Sequence, residues 1–235
     1  MLGSLATHYA INFRQPDTYG YCRNPMEFVQ HTRIDELAEP SSALLNKLLD
    51  DVKHLVIAER KQGRLYYGMQ SAGNLLQRPE ASFQQLAKLI RAKVEAYRRH
   101  FAGREDALIR LFPQALEFAS SWYLRMNQGG YLTSHIHEEG WISGCVYLQL
   151  PDKCDNHEGS FEYGTDGDDY PRLHDDFPTQ IVDQKSATWC YSRHHYFIGP
   201  FRSIPTRNGF VSPLISNRAI ASARKNKHSV NKDPF

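Results

Sequence analysis

Two histidines separated by one residue have the clearest chemical potential in this sequence. His135 and His137 lie in the segment SHIHEEGWISGCVYLQLP, residues 134–151. In an extended strand, side chains two residues apart point to the same face. Two imidazoles on one face can occupy two neighbouring positions on a transition metal. The spacing therefore indicates a candidate metal site, to which a distant part of the chain has to supply a third ligand.

Candidates for that third ligand lie downstream in the segment SRHHYFIGP, residues 192–200. This segment holds His194 and His195 on another predicted strand. Because neighbouring residues of a strand point to opposite faces, only one of the two can face the histidine pair in a regular strand. A β-bulge, which is common near active sites, could turn His195 inward.

The first part of the chain is expected to be helical where it is regular. Residues 82–101 carry apolar residues at steps of three and four, the pattern of a helix with one buried face, and Ser82 and Gln85 match a capping box. Residues 41–60 show the same spacing after two serines that could cap a helix. Residues 1–40 indicate irregular structure, with short β-like pieces such as HYAINF, residues 8–13.

After residue 112 the apolar residues alternate with a period of two, as in half-buried strands. In residues 121–126 one predicted face holds Trp122, Leu124 and Met126, and the other holds Tyr123 and Arg125. In residues 141–150 the same alternation separates two faces: Trp141, Ser143, Cys145 and Tyr147 on one, and Ile142, Gly144, Val146 and Leu148 on the other. Short strands at this spacing, with turn residues between them, favour an antiparallel sandwich or barrel.

We therefore expect one domain over residues 1–235, mostly β with flanking helices. Residues 1–111 form its irregular and helical N-terminal buttress, residues 112–216 its β core, and residues 217–235 a polar basic tail.

Composition excludes several classes of partner. The formal net charge of +2 and the lack of a basic stripe with interleaved aromatics argue against nucleic acid as a partner. No apolar run approaches the roughly 20 residues that a membrane helix needs, and no signal peptide is recognisable. The four cysteines form no C-x-x-C pair, so we expect reduced thiols in a cytoplasmic protein. The composition does not indicate an oligomeric state.

The segment around the histidine pair resembles a known family. SWYLRMNQGGYLTSHIHEEGWISGCVYLQLP, residues 121–151, is similar to 2-oxoglutarate/Fe(II) oxygenases with a histidine pair, a short turn and a Gly-Trp-Leu-Ser-Gly-like strand that ends in Leu-Pro. The matching positions are Trp122, Arg125, Gly129, Gly130, His135, His137, Gly140, Trp141, Ser143, Gly144, Tyr147, Leu150 and Pro151. Downstream, ATWCYSRHHYFIGPF followed by Arg207 looks like the family's strand with the distal histidine and a later arginine.

This resemblance implies a double-stranded β-helix, a jelly-roll or cupin-like core of two packed antiparallel sheets. It also implies that His135, His137 and a distal histidine, which we take to be His195, hold Fe(II) and leave open positions for 2-oxoglutarate and O2. The expected reaction hydroxylates a small-molecule or peptide substrate and yields succinate and CO2.

The resemblance also indicates which residues bind the far carboxylate of 2-oxoglutarate. Arg207 falls where the family places a cation, and a guanidinium suits a carboxylate in a partly dry pocket. Tyr147 is the candidate for a hydroxyl on the same carboxylate. Arg125 is either a second cation inside the barrel or a member of a structural ion pair.

The sequence departs from the family pattern at the metal ligands. An ungapped alignment puts Tyr196 at the distal ligand position, whereas slips of one or two residues put His195 or His194 there. The commonest superfamily triad contains a carboxylate, which here could come from Glu139 beside His137, or from Asp176 beside His174. The alternative function is a non-catalytic or cupin-type metal-binding barrel that does not use 2-oxoglutarate.

Overall fold

The computed structural model describes residues 2–39, 41–61, 63–137, 140–150, 159–167, 169–183, 188–192, 197–198 and 214–220, the last three ranges by their backbone only. Helices in the described residues are α1 (Leu2–Asn12), α2 (Asp35–Ala38), α3 (Ala43–His54), α4 (Ala81–His100) and α5 (Ala107–Arg110). Two short 3-10 helices span Pro25–Phe28 and Leu75–Gln77. None of these helices has the length and hydrophobicity to cross a membrane.

The described strands form two antiparallel sheets. They are β1 (Gln30–Arg33), β2 (Glu59–Arg60), β3 (Leu65–Ser71), β4 (Glu117–Leu132), β5 (Ile142–Tyr147), β6 (Phe161–Gly164), β7 (Thr179–Val182), β8 (Thr188–Ser192), β9 (Phe197–Ile198) and β10 (Leu214–Ile220). The larger sheet has the order β1-β8-β5-β10-β4-β3-β2, and the smaller has the order β7-β6-β9. The predicted class, antiparallel β structure with flanking helices, is confirmed.

Helices α3 and α4 cover one face of the larger sheet. Their apolar stripes, which include Leu48 on α3 and Phe83 on α4, join residues of β4 and β5 in one buried cluster. Ser42 caps α3 through its hydroxyl, which accepts a hydrogen bond from the backbone N–H of Leu45. The sequence predicted both helices, because the 3.6-residue period of a buried stripe is a strong local signal.

The predicted capping box at the start of α4 does not form. The helix begins after Glu80, which makes no side-chain cap, and the Ser82 hydroxyl donates to Asp51 of α3 instead. This bond ties α4 to α3, so a tertiary partner has replaced the local one that the sequence pattern indicated.

The N-terminal segment corrects another expectation. Residues 8–12, expected to be β-like, belong to helix α1. Contacts that are remote in sequence hold this helix: the Asn12 amide donates to the carbonyl oxygen of Pro171 at 2.7 Å, and His8 Nε2 lies 3.0 Å from the same oxygen. A short apolar run of this kind has no period that separates strand from helix, so its docking partner decides the outcome.

The two faces of β4 and β5 pack against different neighbours, as their alternation predicted. Tyr123 and Val146 face the helices, whereas Leu124, Cys145 and Tyr147 lie in a second buried cluster with Phe161 and Tyr163 of β6. This second cluster lies between the two sheets. Trp141 departs from the prediction: it precedes β5, packs against the helical cluster and donates its indole N–H to the carbonyl oxygen of Leu108.

The last strand extends the β core beyond the expected boundary. Residues up to 216 were assigned to the core and residues from 217 to a tail, yet β10 continues to Ile220. Asn217 pairs with Ser121 of β4 and with Gly144 of β5, so ladders on both sides hold its backbone. An isolated polar segment gives no local signal for this pairing, because the partners are remote in sequence.

Candidate metal centre

His135 and His137 lie in the connection between β4 and β5, and both are buried, with 5% and 8% of their surface exposed. A wide irregularity in β4 precedes them: Tyr66 and Gly68 of β3 pair with Tyr131 and Met126, so four β4 residues lie opposite Tyr67. The extra residues end in Gly129-Gly130. A Cβ at Gly130 would lie 2.9 Å from the carbonyl oxygen of Asn127, so only glycine fits there.

The two imidazoles face each other. Their Nε2 atoms are 3.0 Å apart and the ring centroids 4.9 Å apart. Each ring is also held at its other nitrogen: His135 Nδ1 lies 2.7 Å from the carbonyl oxygen of Thr133, and His137 Nδ1 lies 3.1 Å from the Ser143 hydroxyl. This second contact fixes which nitrogen of each ring points at its partner.

These contacts are consistent with one protonation pattern of the neutral pair. A carbonyl oxygen only accepts, so His135 carries its proton on Nδ1 and presents a bare Nε2. In the neutral pair, His137 donates a hydrogen bond from its Nε2 to Nε2 of His135. Its Nδ1 accepts a hydrogen bond from the Ser143 hydroxyl. The Ser143 hydroxyl can also accept, so His137 can move its proton to Nδ1 and free Nε2 as a ligand.

The pair fits a metal ion at two neighbouring positions. Metal–imidazole bonds of about 2.1 Å at right angles place two nitrogens about 3.0 Å apart. The Nε2 atoms are already at this separation. Both rings are anchored at Nδ1, so a metal ion would take the place of the hydrogen bond between the Nε2 atoms while these anchors stay in place.

The surroundings of the pair belong to the cluster between the sheets. The Trp122 ring lies 5.8 Å from the His137 ring. Ser143 starts a row on β5 that continues with Cys145 and Tyr147, whose hydroxyl lies 3.7 Å from Cys145 Sγ. Tyr147 is fully buried, so its hydroxyl lies inside the protein on the face of the histidine pair.

Most of the proposed third ligands belong to parts of the chain that the structure does not describe. The predicted distal ligand His195, with the alternatives His194 and Tyr196, lies outside the described residues, as do Glu139 and Arg207. Among the residues with described side chains, no three His, Cys, Asp or Glu are grouped to hold a metal ion.

His174 and Asp176 have other partners. His174 Nε2 lies 3.1 Å from the carbonyl oxygen of Ile11, and its Nδ1 accepts a hydrogen bond from the backbone N–H of Asp176. Arg14 pairs with the Asp176 carboxylate at 2.8 Å. These contacts hold helix α1 against residues 171–176.

Arg125, for which two roles were predicted, forms an ion pair with Glu59 of β2. The Tyr123 hydroxyl donates to the same carboxylate at 2.8 Å. Burial and this hydrogen bond raise the pKa of Tyr123 to about 12. The three side chains connect the edge strand β2 to β4, and β4 leads into the connection that holds the candidate metal centre.

Tyr123 should make the stability of the protein sensitive to high pH. Between its ordinary pKa of 10.0 and the folded value of about 12, the unfolded chain loses the proton while the folded chain retains it. The free energy of unfolding therefore falls as the pH rises through this window. Urea denaturation at pH 8 and pH 11 should show a smaller fall for Tyr123→Phe than for the wild type. The exposed Tyr19→Phe is the control, and equal falls in all three proteins would contradict the assignment.

Sequence reasoning missed Thr133 and Ser143 as anchors of the two histidines. Ser143 was visible as part of the family pattern, but its hydrogen bond to His137 depends on how the connection between β4 and β5 folds back. Thr133 acts through its carbonyl oxygen, for which a sequence carries no signal.

Comparison with known families identifies the segment around the pair. A family model described as "Putative 2OG-Fe(II) oxygenase" matches residues 120–191, which include both histidines. The family resemblance predicted from the sequence is thus confirmed. Fe(II) and 2-oxoglutarate are the cofactors that the description of this family names. No curated protein matches the chain.

Solved structures share the fold at low sequence identity. HygX from Streptomyces hygroscopicus, with nickel, 2-oxoglutarate and hygromycin B bound, is 13% identical; the match covers 84% of this chain and 85% of HygX, with a TM-score of 0.54. A 2OG-Fe(II) oxygenase family oxidoreductase from Burkholderia pseudomallei is 10% identical over 87% of this chain and 90% of that one, with a TM-score of 0.54. A prolyl hydroxylase from Trichoplax adhaerens, in complex with a hypoxia inducible factor peptide fragment, is 11% identical over 93% and 89%, with a TM-score of 0.53.

Proposed function

We propose that this protein is an Fe(II)- and 2-oxoglutarate-dependent oxygenase with a double-stranded β-helix core. The observation that carries the proposal is the anchored pair His135 and His137, with Nε2 atoms 3.0 Å apart inside the segment that matches the family model. His195 is the proposed third ligand. The reaction consumes O2 and 2-oxoglutarate, hydroxylates a substrate, and releases succinate and CO2.

The residues of the chain have separate parts in this chemistry. When bound, the metal supplies the activation of O2 and the oxidation of the substrate. His135 and His137 hold it, while Thr133 and Ser143 keep their rings oriented. The apolar cluster between the sheets excludes water from the side on which Trp122 packs against His137.

The far carboxylate of 2-oxoglutarate needs a cation and a hydroxyl. We propose Tyr147 for the hydroxyl, since it is buried and lies on the strand that begins beside Ser143. Arg207 is the cation that the family resemblance suggests. The register of β10 adds a second candidate, because it pairs Arg218 directly with Ser143. Opposed residues of an antiparallel pair share one face of the sheet, so position 218 is in the row of the residue that holds His137.

We expect Arg218→Ala to raise the KM for 2-oxoglutarate by roughly 10- to 100-fold. Hydrogen bonds to charged groups contribute about 1.5–3 kcal/mol, and each 1.4 kcal/mol is a factor of ten in affinity. Initial rates of succinate formation at varied 2-oxoglutarate measure the change. Arg207→Ala is made in parallel, and a raised KM in that variant alone would return the role to Arg207.

The substrate is proposed to be a polar small molecule or a peptide segment. A cleft of about 760 Å³ is lined by Thr133 and Ser134, which directly precede His135 in the chain. Arg64, Asp166 and Arg172 are among the residues that line it, so its wall offers both donors and acceptors of hydrogen bonds. A ligand that enters there is expected to carry polar groups of its own.

Consumption of 2-oxoglutarate without added substrate tests the function. Purified protein with Fe(II), ascorbate and 2-oxoglutarate labelled at C1 should release labelled CO2 and an equal amount of succinate. A metal chelator should stop both. A folded protein that binds Fe(II) but forms no succinate, alone or with a panel of amino acids, peptides and amino sugars, would point instead to the non-catalytic or cupin-type barrel.

A further inference from the structure

Three residues on neighbouring strands of the larger sheet form a row that could undergo thiol oxidation. His31 of β1 pairs directly with Cys190 of β8, and Cys190 pairs directly with Cys145 of β5. The row follows from the backbone register alone. It is separate from the candidate metal ligands, and the proposed oxygenase reaction does not use it.

Cys145 is a reduced, buried thiol on the inner side of the sheet. It is 6% exposed and belongs to the cluster between the sheets, where its Sγ lies 3.7 Å from the Tyr147 hydroxyl. His31 has the same orientation, since its ring lies 6.4 Å from that of Phe161 in the opposite sheet.

The register brings the two cysteine positions within disulfide range. Residues directly opposite each other in antiparallel strands have Cα atoms about 4.5 or 5.5 Å apart, depending on the hydrogen-bonding class of the pair. Disulfides span Cα separations of about 4.4–6.8 Å. A directly opposed pair therefore meets the Cα distance that a disulfide needs, whether or not the pair is hydrogen-bonded. We propose that Cys145 and Cys190 are an oxidation site, at which a disulfide forms across β5 and β8.

His31 can assist this oxidation as a proton acceptor. Its Nε2 is buried and has no hydrogen-bond partner among the described residues. Burial lowers the pKa of His31, which keeps the ring neutral and able to accept a proton near neutral pH. The thiolate is the reactive form of cysteine, so a neutral imidazole in register with Cys190 favours the reaction.

Hydrogen peroxide is small enough to react with a buried thiol. One thiolate attacks a peroxide oxygen, forms a sulfenic acid and releases hydroxide, which takes up the proton that the thiol gave. The second thiol then attacks the sulfenic sulfur, the disulfide forms and water leaves. In total, two thiols lose two hydrogens and one peroxide becomes two waters.

The disulfide would change the wall of the proposed cosubstrate pocket. Cys145 Sγ would lose its contact with the Tyr147 hydroxyl as it bonds to Cys190. This consequence rests on the proposed function and predicts a higher KM for 2-oxoglutarate after oxidation. Formation of the disulfide is measured without any turnover, so failure of one claim leaves the other intact.

Peptide mapping under non-reducing conditions tests the oxidation site. The metal-free protein is treated with hydrogen peroxide, blocked with N-ethylmaleimide in denaturant and digested. We expect a linked peptide pair that contains Cys145 and Cys190, the loss of two thiols per chain, and recovery of both with dithiothreitol. Cys145→Ser and Cys190→Ser should each abolish the linked pair, and Cys154→Ser should retain it.

Either of two results would overturn the proposal. One is a link between Cys154 and Cys190 in place of the cross-strand pair. The other is oxidation of thiols to sulfinic acid with no linked peptides at all. His31→Gln should slow formation of the linked pair without removing it. An unchanged rate in that variant would remove His31 from the mechanism and leave the cysteine pair to be judged by the mapping.

Discussion

Replacing His135 or His137 by alanine should lower Fe(II)-dependent succinate formation by at least about 100-fold. Removal of an outer partner of a metal ligand already costs about 10- to 100-fold in metal affinity or activity, and loss of the ligand itself costs more. Each side chain contributes one Nε2 to the proposed metal site, so either variant leaves a single imidazole ligand from the pair. Fe(II) binding by isothermal titration should fall together with the rate.

Two controls separate this loss from a general effect. His54→Ala removes an imidazole that is exposed at the end of α3, and it should leave the rate unchanged. Ser143→Ala keeps both ligands and removes the anchor of His137 at Nδ1, so its loss should be smaller, about 10-fold. Full activity in His135→Ala, with the fold intact, would contradict the assignment of the metal centre.

The second large effect concerns the helical layer behind the sheet. Phe83→Ala should lower the free energy of unfolding by about 3–5 kcal/mol, the usual range for a buried phenylalanine. Phe83 is fully buried in α4, in the cluster that joins the helices to β4 and β5. A loss of this size is a large share of the 5–15 kcal/mol that typically separates folded from unfolded protein.

Phe13→Ala is the matched control for this substitution. Phe13 follows α1 and is about half exposed, so the same change of side chain should cost less than about 1 kcal/mol. Urea denaturation followed by circular dichroism measures both variants. Similar losses in the two would show that α4 does not anchor the sheet as the structure indicates.

The helices and strand faces that depend on local periodicity could be predicted from the sequence. The stripe of α4 and the alternation along β4 and β5 are properties of single segments, so Phe83, Leu124 and Tyr147 could be placed on their faces correctly. His135 and His137 also lie close together, as their spacing suggested, but they lie in the connection after β4 and not in the regular strand from which their common face was predicted.

Features that depend on remote contacts could not be predicted. Helix α1 is held by Pro171, and Arg125 found its partner Glu59 more than 60 residues away along the chain. The anchor of His137 is a serine whose role depends on the path of the connection between the strands. Such contacts between remote residues select one of several local conformations that are similar in energy when the segment is considered alone.

The most direct test of the metal centre is an anaerobic titration of the purified protein with Fe(II) and 2-oxoglutarate, followed by visible absorption. Fe(II) and 2-oxoglutarate together should give a weak visible charge-transfer band that neither gives alone, and His135→Ala and His195→Ala should both lack it. A band that survives in His195→Ala would move the third ligand to His194 or Tyr196. A folded wild-type protein that gives no band would contradict the assignment of this chain as a 2-oxoglutarate-dependent oxygenase.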